Sequence, residues 1–191
     1  MNESLGKKII LGIVGEIGSG KDAAAQYFHD RYSAQIFRFS TPMRDCIKRL
    51  HLPETRENLQ IFSRITRDAF GQDLYSKAIA LEAAEATAPM IVAEGIRRPA
   101  DIAEFAKLPS FHLVAIVADE KKRFERIKMR NENASDASKT WKQFQKEAAA
   151  ETEVTIREIA AKSELTIENN GALEDLHRKL DEMIATCSAR N

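Results

Sequence analysis

The chain has 191 residues, and 29 Lys and Arg side chains balance 29 Asp and Glu side chains, so its formal net charge at pH 7 is zero. A neutral chain of this length suits one α/β domain with a substantial core, and it argues against a dedicated nucleic-acid-binding protein, which would usually be basic. The longest apolar runs fall far short of the roughly 20 residues that a membrane helix needs. The first residues show no signal-type apolar core, and Cys46 and Cys187 lie far apart without metal-ligand spacing. We therefore expect a cytoplasmic protein whose cysteines are free thiols. We also expect that this protein binds neither membrane nor nucleic acid.

The first predicted element is a buried strand in the apolar run 9–14, and the stretch GEIGSGKD follows it at 15–22. This stretch is the phosphate-loop pattern G-x-x-x-x-G-K, with Asp22 in place of the usual Ser or Thr. Its glycines let the backbone approach a ligand, its successive N–H groups can hold phosphate oxygens, and a helix that begins near Gly20 adds a positive dipole end. We predict that Lys21 reaches the β- and γ-phosphates of a nucleotide; the alternative is a structural Gly-rich turn. The predicted nucleotide-binding residues of this loop are Gly15, Ile17, Gly18, Ser19, Gly20, Lys21, Asp22 and Ala23.

The next elements alternate between helix and strand. A helix is expected to about residue 32, a strand within 35–40, and a helix over 43–51 that begins after Ser40-Thr41-Pro42. Residues 54–87 are mostly helical by composition, and Gly71 separates two helices there. In the first of them, Phe62, Ile65 and Ala69 recur with helical spacing and predict a core stripe.

The second half continues the alternation. A third strand over 90–93 runs into EGIRRP at 94–99, a helix is predicted over 99–107, and a fourth strand over 112–117. Asp119 begins a helix in which Arg123, Arg126 and Arg130 share one face. We expect a mobile loop over 131–139, one long helix over 140–161, a fifth strand over 165–168 and a turn at 169–171. The last helix carries a core stripe of Leu173, Leu176, Leu180 and Ile184.

Five strands that alternate with helices predict an α/β fold, a parallel sheet with helices on both faces. Active sites in such sheets lie beyond the carboxyl ends of the strands. The predicted strand ends carry the phosphate loop, residues 40–44, residues 94–98, Asp119 and residues 169–171. We therefore expect these five segments to form one site.

In these segments the chain resembles the nucleoside monophosphate kinase group of phosphate-loop proteins, above all small dephospho-CoA-kinase-like and adenylate-kinase-like ATPases. The resemblance rests on the phosphate loop, EGIR at 94–97, RFERIKMR at 123–130, WKQF at 141–144 and ENNGALE at 168–174. The GKD ending and FGQDL at 70–74 are similar to phage deoxynucleoside monophosphate kinases. The resemblance implies a three-layer P-loop NTPase fold with strand order 2-3-1-4-5. It also implies a single kinase domain over 1–191, with an acceptor-binding helical insertion at about 41–88 and a lid at about 131–150.

The same resemblance implies ATP-dependent phosphoryl transfer, with Mg²⁺, to a nucleoside or deoxynucleoside monophosphate or a similar phosphorylated small molecule. It implies that Arg44 and Arg97 hold the acceptor phosphate, that Arg126 stacks on the donor adenine and that Arg130 reaches the donor phosphates. The loop at 169–172, with Asn170 and Gly171, would lie beside the adenine. The catalytic set is then Lys21, Arg97 and Arg130.

Two carboxylates are candidate Mg²⁺ ligands, because Mg²⁺ favours oxygen ligands. Asp22 occupies the loop position of the usual hydroxyl, and its alternative role is that of an acid in the first turn of a helix. Glu94 ends the third strand and is also a candidate substrate contact; its alternative is an ion pair with Arg97 or Arg98.

Further arginines are candidates for binding the acceptor. Arg64 and Arg67 lie in the predicted helical insertion, and their alternative is a salt bridge to Asp68 or Glu57. Arg38, at the end of the second strand, is another candidate.

The segment after the predicted lid loop departs from the family pattern. It reads KQFQKEAAAETE at 142–153, with lysines but no arginine, and lysine cannot supply bidentate geometry to a phosphate. This departure and Asp22 leave open the alternative of a nucleotide-binding sensor or slow ATPase. The resemblance leaves open a second alternative, a dephospho-CoA-type kinase. We expect a monomer or a homodimer.

Overall fold

The structure is a computed structural model that describes residues 8–130 and 136–190. Its strands are β1 (Ile9–Val14), β2 (Gln35–Arg38), β3 (Met90–Glu94), β4 (Phe111–Val117) and β5 (Leu165–Glu168). The helices of the first half are α1 (Lys21–Tyr32), α2 (Thr41–Arg49), α3 (Arg56–Phe70), α4 (Leu74–Glu85) and α5 (Pro99–Ile102), followed by a 3-10 helix at Phe105–Lys107. Those of the second half are α6 (Glu120–Arg130), α7 (Trp141–Ala148), α8 (Glu151–Ala160) and α9 (Leu173–Arg190).

The five strands form one sheet in the order β2-β3-β1-β4-β5, and every neighbouring pair is parallel. This confirms the predicted fold class and strand order. Leu11 of the central strand β1 pairs with Val92 on one side and with His112 on the other. The phosphate loop therefore leaves the sheet at its middle.

Both faces of the sheet are covered, which gives three layers. All six residues of β1 are buried, because their side chains alternate between two apolar clusters. Ile9, Leu11 and Ile13 pack with α1 and α9, whereas Ile10 and Val14 pack on the opposite face with residues of α4 and α8. Among the described helices, none combines the length and the apolar character that crossing a bilayer requires.

Two predicted core stripes have different outcomes. In α9, Leu176, Leu180 and Ile184 are buried as predicted, and only Leu173 is exposed. In α3, Phe62 is half-buried against the sheet core as predicted, but the prediction is wrong for Ile65, which is 56% exposed, and for Ala69, which is also exposed. The buried residue of this helix is Arg67. The helix lies between α2 and α4 in the insertion between β2 and β3, and its buried Arg67 pairs with Asp101 of α5.

The long helix predicted over 140–161 is also wrong, because the chain breaks between α7 and α8. Helix α7 ends at Ala148 with Ala149 as its C-cap, and Ala150 is extended, with ψ at 147°. Alanine favours helix, so the cause is tertiary. Phe144 packs against Phe124 of α6, whereas Ile156 belongs to the sheet core, and the break lets the two segments face different surfaces. The helix predicted over 99–107 likewise divides into α5 and the short 3-10 helix.

Candidate functional site

The loop between β1 and α1 has the backbone that phosphate binding requires. Gly18 and Gly20 have φ angles of 79° and 102°, in the region that favours glycine. Gly20 is also the N-cap of α1 and supplies no side-chain cap, so the positive end of the helix is open to a ligand. A Cβ atom on Gly20 would lie 2.2 Å from Nδ2 of Asn169. The glycine is therefore needed for close packing as well as for the turn.

Lys21 lies among the charges that the sequence predicted for the site. Its Nζ donates a hydrogen bond to the carbonyl oxygen of Glu16, at 3.1 Å. Burial lowers the pKa of Lys21, and the nearby charge of Arg97 acts in the same direction, whereas the carboxylates of Asp22, Glu153 and Glu94 act to raise it. The structure thus brings Lys21, Asp22, Glu94 and Arg97 together at one edge of the sheet.

Glu94 is the buried carboxylate of this group. It lies directly across the sheet from Arg38, whose Nε donates to its Oε2 at 2.8 Å. Its partner is therefore Arg38, and neither of the expected partners Arg97 and Arg98. Burial is the main cause that raises the pKa of Glu94, and Arg38 opposes that effect. Its other oxygen, Oε1, is buried without a hydrogen-bond partner among the described residues, so it is available to a ligand.

The backbone that follows Glu94 is held by a second carboxylate. The N–H groups of Arg97 and Arg98 donate to Oδ2 of Asp101 at 2.9 and 3.0 Å, and Nη2 of Arg67 donates to Oδ1 at 2.8 Å. The side chains of Arg67 and Asp101 are only 5% and 2% exposed. The structure therefore corrects the expectation that Arg67 contacts the acceptor: the arginine lies in a buried ion pair. Its partner is Asp101, and neither Asp68 nor Glu57.

The remaining predicted arginines on this side are exposed. Arg97 has an exposed side chain close enough to Lys21 to affect its pKa. Arg44 of α2 pairs with Glu54 at 3.2 Å, and Arg64 lies on the exposed surface of α3. An anionic acceptor could recruit these side chains without disturbing the core.

The opposite side of the loop is built from α6 and the turn after β5. Asn169 is buried; its Nδ2 donates to the carbonyl oxygen of Ser19 at 2.8 Å, and its Oδ1 accepts from Nη2 of Arg126 at 3.3 Å. Asn170 accepts a hydrogen bond from the N–H of Asp119 at 2.8 Å. Gly171 lies close to Asp175, and a Cβ atom there would approach its carboxylate to 2.6 Å. The side chain of Arg130 and residues 131–135 of the predicted lid loop lie outside the described residues.

Helix α8 brings to the loop a group of charges that was not predicted from the sequence. Oε1 of Glu16 accepts from Arg157 at 2.8 Å and lies 3.2 Å from Nη2 of Arg123. The N–H of Ile17 donates to Oε2 of Glu153 at 3.4 Å. Glu153 and Arg157 are four residues apart, a spacing that places them on one helix face. That spacing is the signal that could have identified them.

The residues of the site fit a nucleotide with Mg²⁺. Four buried polar atoms around the loop have no partner among the described residues: Oγ of Ser19, Oε1 of Glu94, Nε of Arg123 and Nη1 of Arg126. The described residues contain no cluster of three or more possible metal ligands. Mg²⁺, however, is commonly held by one or two carboxylates together with substrate phosphates. Asp22 lies close enough to Glu94 to raise its pKa, so the two carboxylates fit such a site.

No model of a known protein family matches this chain. Its sequence is similar to those of UPF0200 proteins. It is 28% identical over 190 residues to the UPF0200 protein of Pyrococcus horikoshii, covering 93% of this chain and 96% of the relative. It is 26% identical over 172 residues to that of Staphylothermus marinus, covering 90% and 89%.

Solved structures give the fold. The protein TT1252 from Thermus thermophilus superimposes with a TM-score of 0.59 at 19% identity, over 94% of this chain and 98% of that one. The shikimate kinase of Acinetobacter baumannii gives 0.55 at 14% identity, over 94% of both chains. A gluconokinase from Sinorhizobium meliloti gives 0.54 at 13% identity, over 96% and 94%. At these identities the likeness establishes the fold alone, a three-layer α/β P-loop fold.

Proposed function

We propose that the protein is a small-molecule kinase that transfers the γ-phosphoryl group of ATP to a nucleoside or deoxynucleoside monophosphate, or to a similar phosphorylated acceptor. One observation carries this proposal: a phosphate loop leaves the central strand between two different charged surfaces. On the β3 side lie Glu94 and Arg97, and on the β4 side lie Arg126 and Asn169. Two polar surfaces that flank one phosphate site suit a donor nucleotide and a second substrate.

Phosphoryl transfer depends on positioning and on neutralising charge, and it requires little covalent chemistry from the protein. Lys21 and the N–H groups of the loop would hold the donor phosphates. Arg157 and Arg123 already lie at the loop, paired with Glu16, and they would neutralise charge that develops during transfer. Arg157 thus offers the guanidinium that the segment 142–153 lacks. Mg²⁺ would add further neutralisation when bound with ATP, and Asp22 and Glu94 are the residues that would hold it.

We further propose a division of the domain that follows the chain order. The helices α2 to α4, within the insertion at about 41–88, would bind the acceptor, with Arg44, Arg64 and Arg97 as anionic-group contacts. The region at about 131–150 would act as a lid over the donor. In the ordinary kinase mechanism such parts close over the substrates and exclude water.

The test is an ADP-release assay with ATP and Mg²⁺ over a set of nucleoside and deoxynucleoside monophosphates and dephospho-CoA. At least one acceptor should stimulate turnover, and Lys21→Ala should lower the stimulated rate by about 10²–10³-fold. Lys162→Ala, which removes an exposed lysine away from the loop, should leave the rate unchanged. A wild-type rate indifferent to all acceptors would refute the proposal as worded.

The second candidate is a nucleotide sensor or slow ATPase, and one feature favours it. Glu16 already pairs with Arg157 and Arg123, and Glu153 already accepts from the N–H of Ile17 in the loop. Such contacts would slow nucleotide entry and leave transfer inefficient. Tight ATP binding without acceptor-stimulated turnover would favour this second function.

A further inference from the structure

Asn169 joins two parts of the nucleotide site that are distant in sequence. It directly follows β5, is 5% exposed, and its own N–H donates to the carbonyl oxygen of Val117 at 2.7 Å. Its amide then makes two further bonds, one to the carbonyl oxygen of Ser19 at 2.8 Å and one from Arg126 at 3.3 Å. The side chain is thus held on both its donor and its acceptor atom.

The bond to Ser19 fixes the direction of a peptide group in the phosphate loop. In a trans peptide the carbonyl of one residue and the N–H of the next point in opposite directions. By holding the carbonyl of Ser19, Asn169 therefore fixes the N–H of Gly20, one of the donors that the loop offers to a phosphate. Gly20 accommodates the amide because it has no Cβ atom.

The bond to Arg126 fixes a guanidinium on the β4 side of the loop. Nη1 of Arg126 is buried and has no partner among the described residues, and such an atom normally has one. The carboxylates proposed for Mg²⁺ lie on the other side of the loop. A nucleotide whose terminal phosphate faces those carboxylates would direct its nucleoside toward Arg126.

We infer that Asn169 is a positioning residue of the donor site, which holds the phosphate loop and Arg126 together so that the phosphates and the nucleoside of one nucleotide are bound at once. The inference rests on the proposed function only in taking ATP as the ligand. It assigns no contact between Asn169 and ATP itself.

Two ligands distinguish the roles of the hydrogen bonds that Asn169 makes to Ser19 and to Arg126. ATP has a nucleoside, and inorganic tripolyphosphate does not. Binding of each to the full chain with Mg²⁺ is measured by calorimetry. In Asn169→Asp the carboxylate keeps the acceptor for Arg126 but loses the donor to Ser19. The affinities for both ligands should therefore fall by about the same factor, on the order of tenfold. In Asn169→Leu both bonds are lost, so ATP should weaken more than tripolyphosphate.

Arg126→Gln completes the test and does not depend on whether Asn169→Leu folds. Alone, it should weaken ATP and leave tripolyphosphate unchanged. In the Asn169→Leu background, Arg126→Gln should lower the affinity for ATP by a smaller factor than it does in the wild-type background. The reason is that the guanidinium is already misplaced when Asn169 is absent. Gln26→Leu, which removes an exposed amide from α1, serves as the control for loss of an amide.

A merely structural Asn169 would give a different pattern. The melting temperature of the Asn169 variants would fall, while both affinities of Asn169→Asp, and the ratio of the ATP and tripolyphosphate affinities of Asn169→Leu, would stay within twofold of wild type. That result, or equal effects of Arg126→Gln in both backgrounds, would overturn the inference, as would a wild-type chain that binds neither ligand. A wild-type chain that binds ATP without transferring phosphate to any acceptor would instead refute the proposed function and leave the inference intact.

Discussion

Asp101→Asn should destabilise the protein strongly, because it leaves the guanidinium of Arg67 buried without a counter-charge. The two side chains are 2% and 5% exposed and their atoms are 2.8 Å apart. Removing one partner of such a pair typically costs about 3–5 kcal/mol of unfolding free energy. Asparagine retains an oxygen that can accept from the N–H groups of Arg97 and Arg98, so we expect the lower end of that range. For a chain of this size, this corresponds to a fall in melting temperature of roughly 6–12 °C.

The assay is urea unfolding followed by circular dichroism, with thermal unfolding as a second measurement. Glu182→Gln is the matched control, because it removes a carboxylate from an exposed pair with Arg178 at 2.7 Å, which is worth about 0.3–0.5 kcal/mol. Arg67→Met combined with Asp101→Asn should recover part of the loss, since no unpaired charge then remains. A loss below about 1 kcal/mol in Asp101→Asn would refute the reasoning.

Three further predictions concern the loop and the α1–α9 contact. Asp22→Ser should shift the Mg²⁺ dependence of turnover if Asp22 binds the metal, and superimposable titration curves would exclude that role. Glu153→Gln should tighten ATP binding by about fivefold, because it removes a charge that competes with the phosphates for the loop and is worth about 1 kcal/mol. Glu158→Gln, on the exposed side of α8, should leave ATP binding unchanged. Equal ATP affinities of Glu153→Gln and wild type in calorimetry would count against this competition. The pKa of Tyr32 is raised chiefly by burial and also by its bond to Asp181, so the folded state holds the phenol proton more tightly than the unfolded chain. The unfolding free energy should therefore fall as the pH rises above about 10, and less steeply in Tyr32→Phe; identical slopes would contradict this.

The fold was predictable because its signals are local. The strand–loop–helix sequence around Gly20, the fully apolar β1 and the regular alternation of later elements each lie within a few residues of one another. Once the strands are placed, the right-handed crossover rule leaves few topologies. The candidate site residues at strand ends followed from the same argument, since parallel strands bring their carboxyl ends to one edge.

The partners of the site residues were not predictable, because they depend on contacts between distant segments. Arg38 rather than Arg97 pairs with Glu94 across 56 positions, and Asn169 reaches Ser19 across 150. Chain order gives the edge of the sheet at which a residue lies, but it does not give rotamers or the choice among several arginines near one carboxylate. The buried Arg67 shows the same limit: an arginine on an amphipathic helix is expected in solvent, and only Asp101 on another element explains its burial.

The break between α7 and α8 connects the main error of the sequence analysis to the chemistry of the site. A continuous helix over 140–161 would have run past the loop with lysines and no arginine in its first three turns. The break at Ala149 and Ala150 instead allows a new helix, α8, to begin. The guanidinium of Arg157 in α8 donates to the carbonyl oxygen of Ala148, in the last turn of α7, at 2.9 Å, and this bond positions it. The same guanidinium donates to Glu16 at 2.8 Å. The same helix places a carboxylate, Glu153, on the N–H of the loop. One element therefore brings both a charge that would assist bound phosphates and a charge that would oppose them, so a shift of α8 relative to the loop would change phosphate affinity and phosphoryl transfer together.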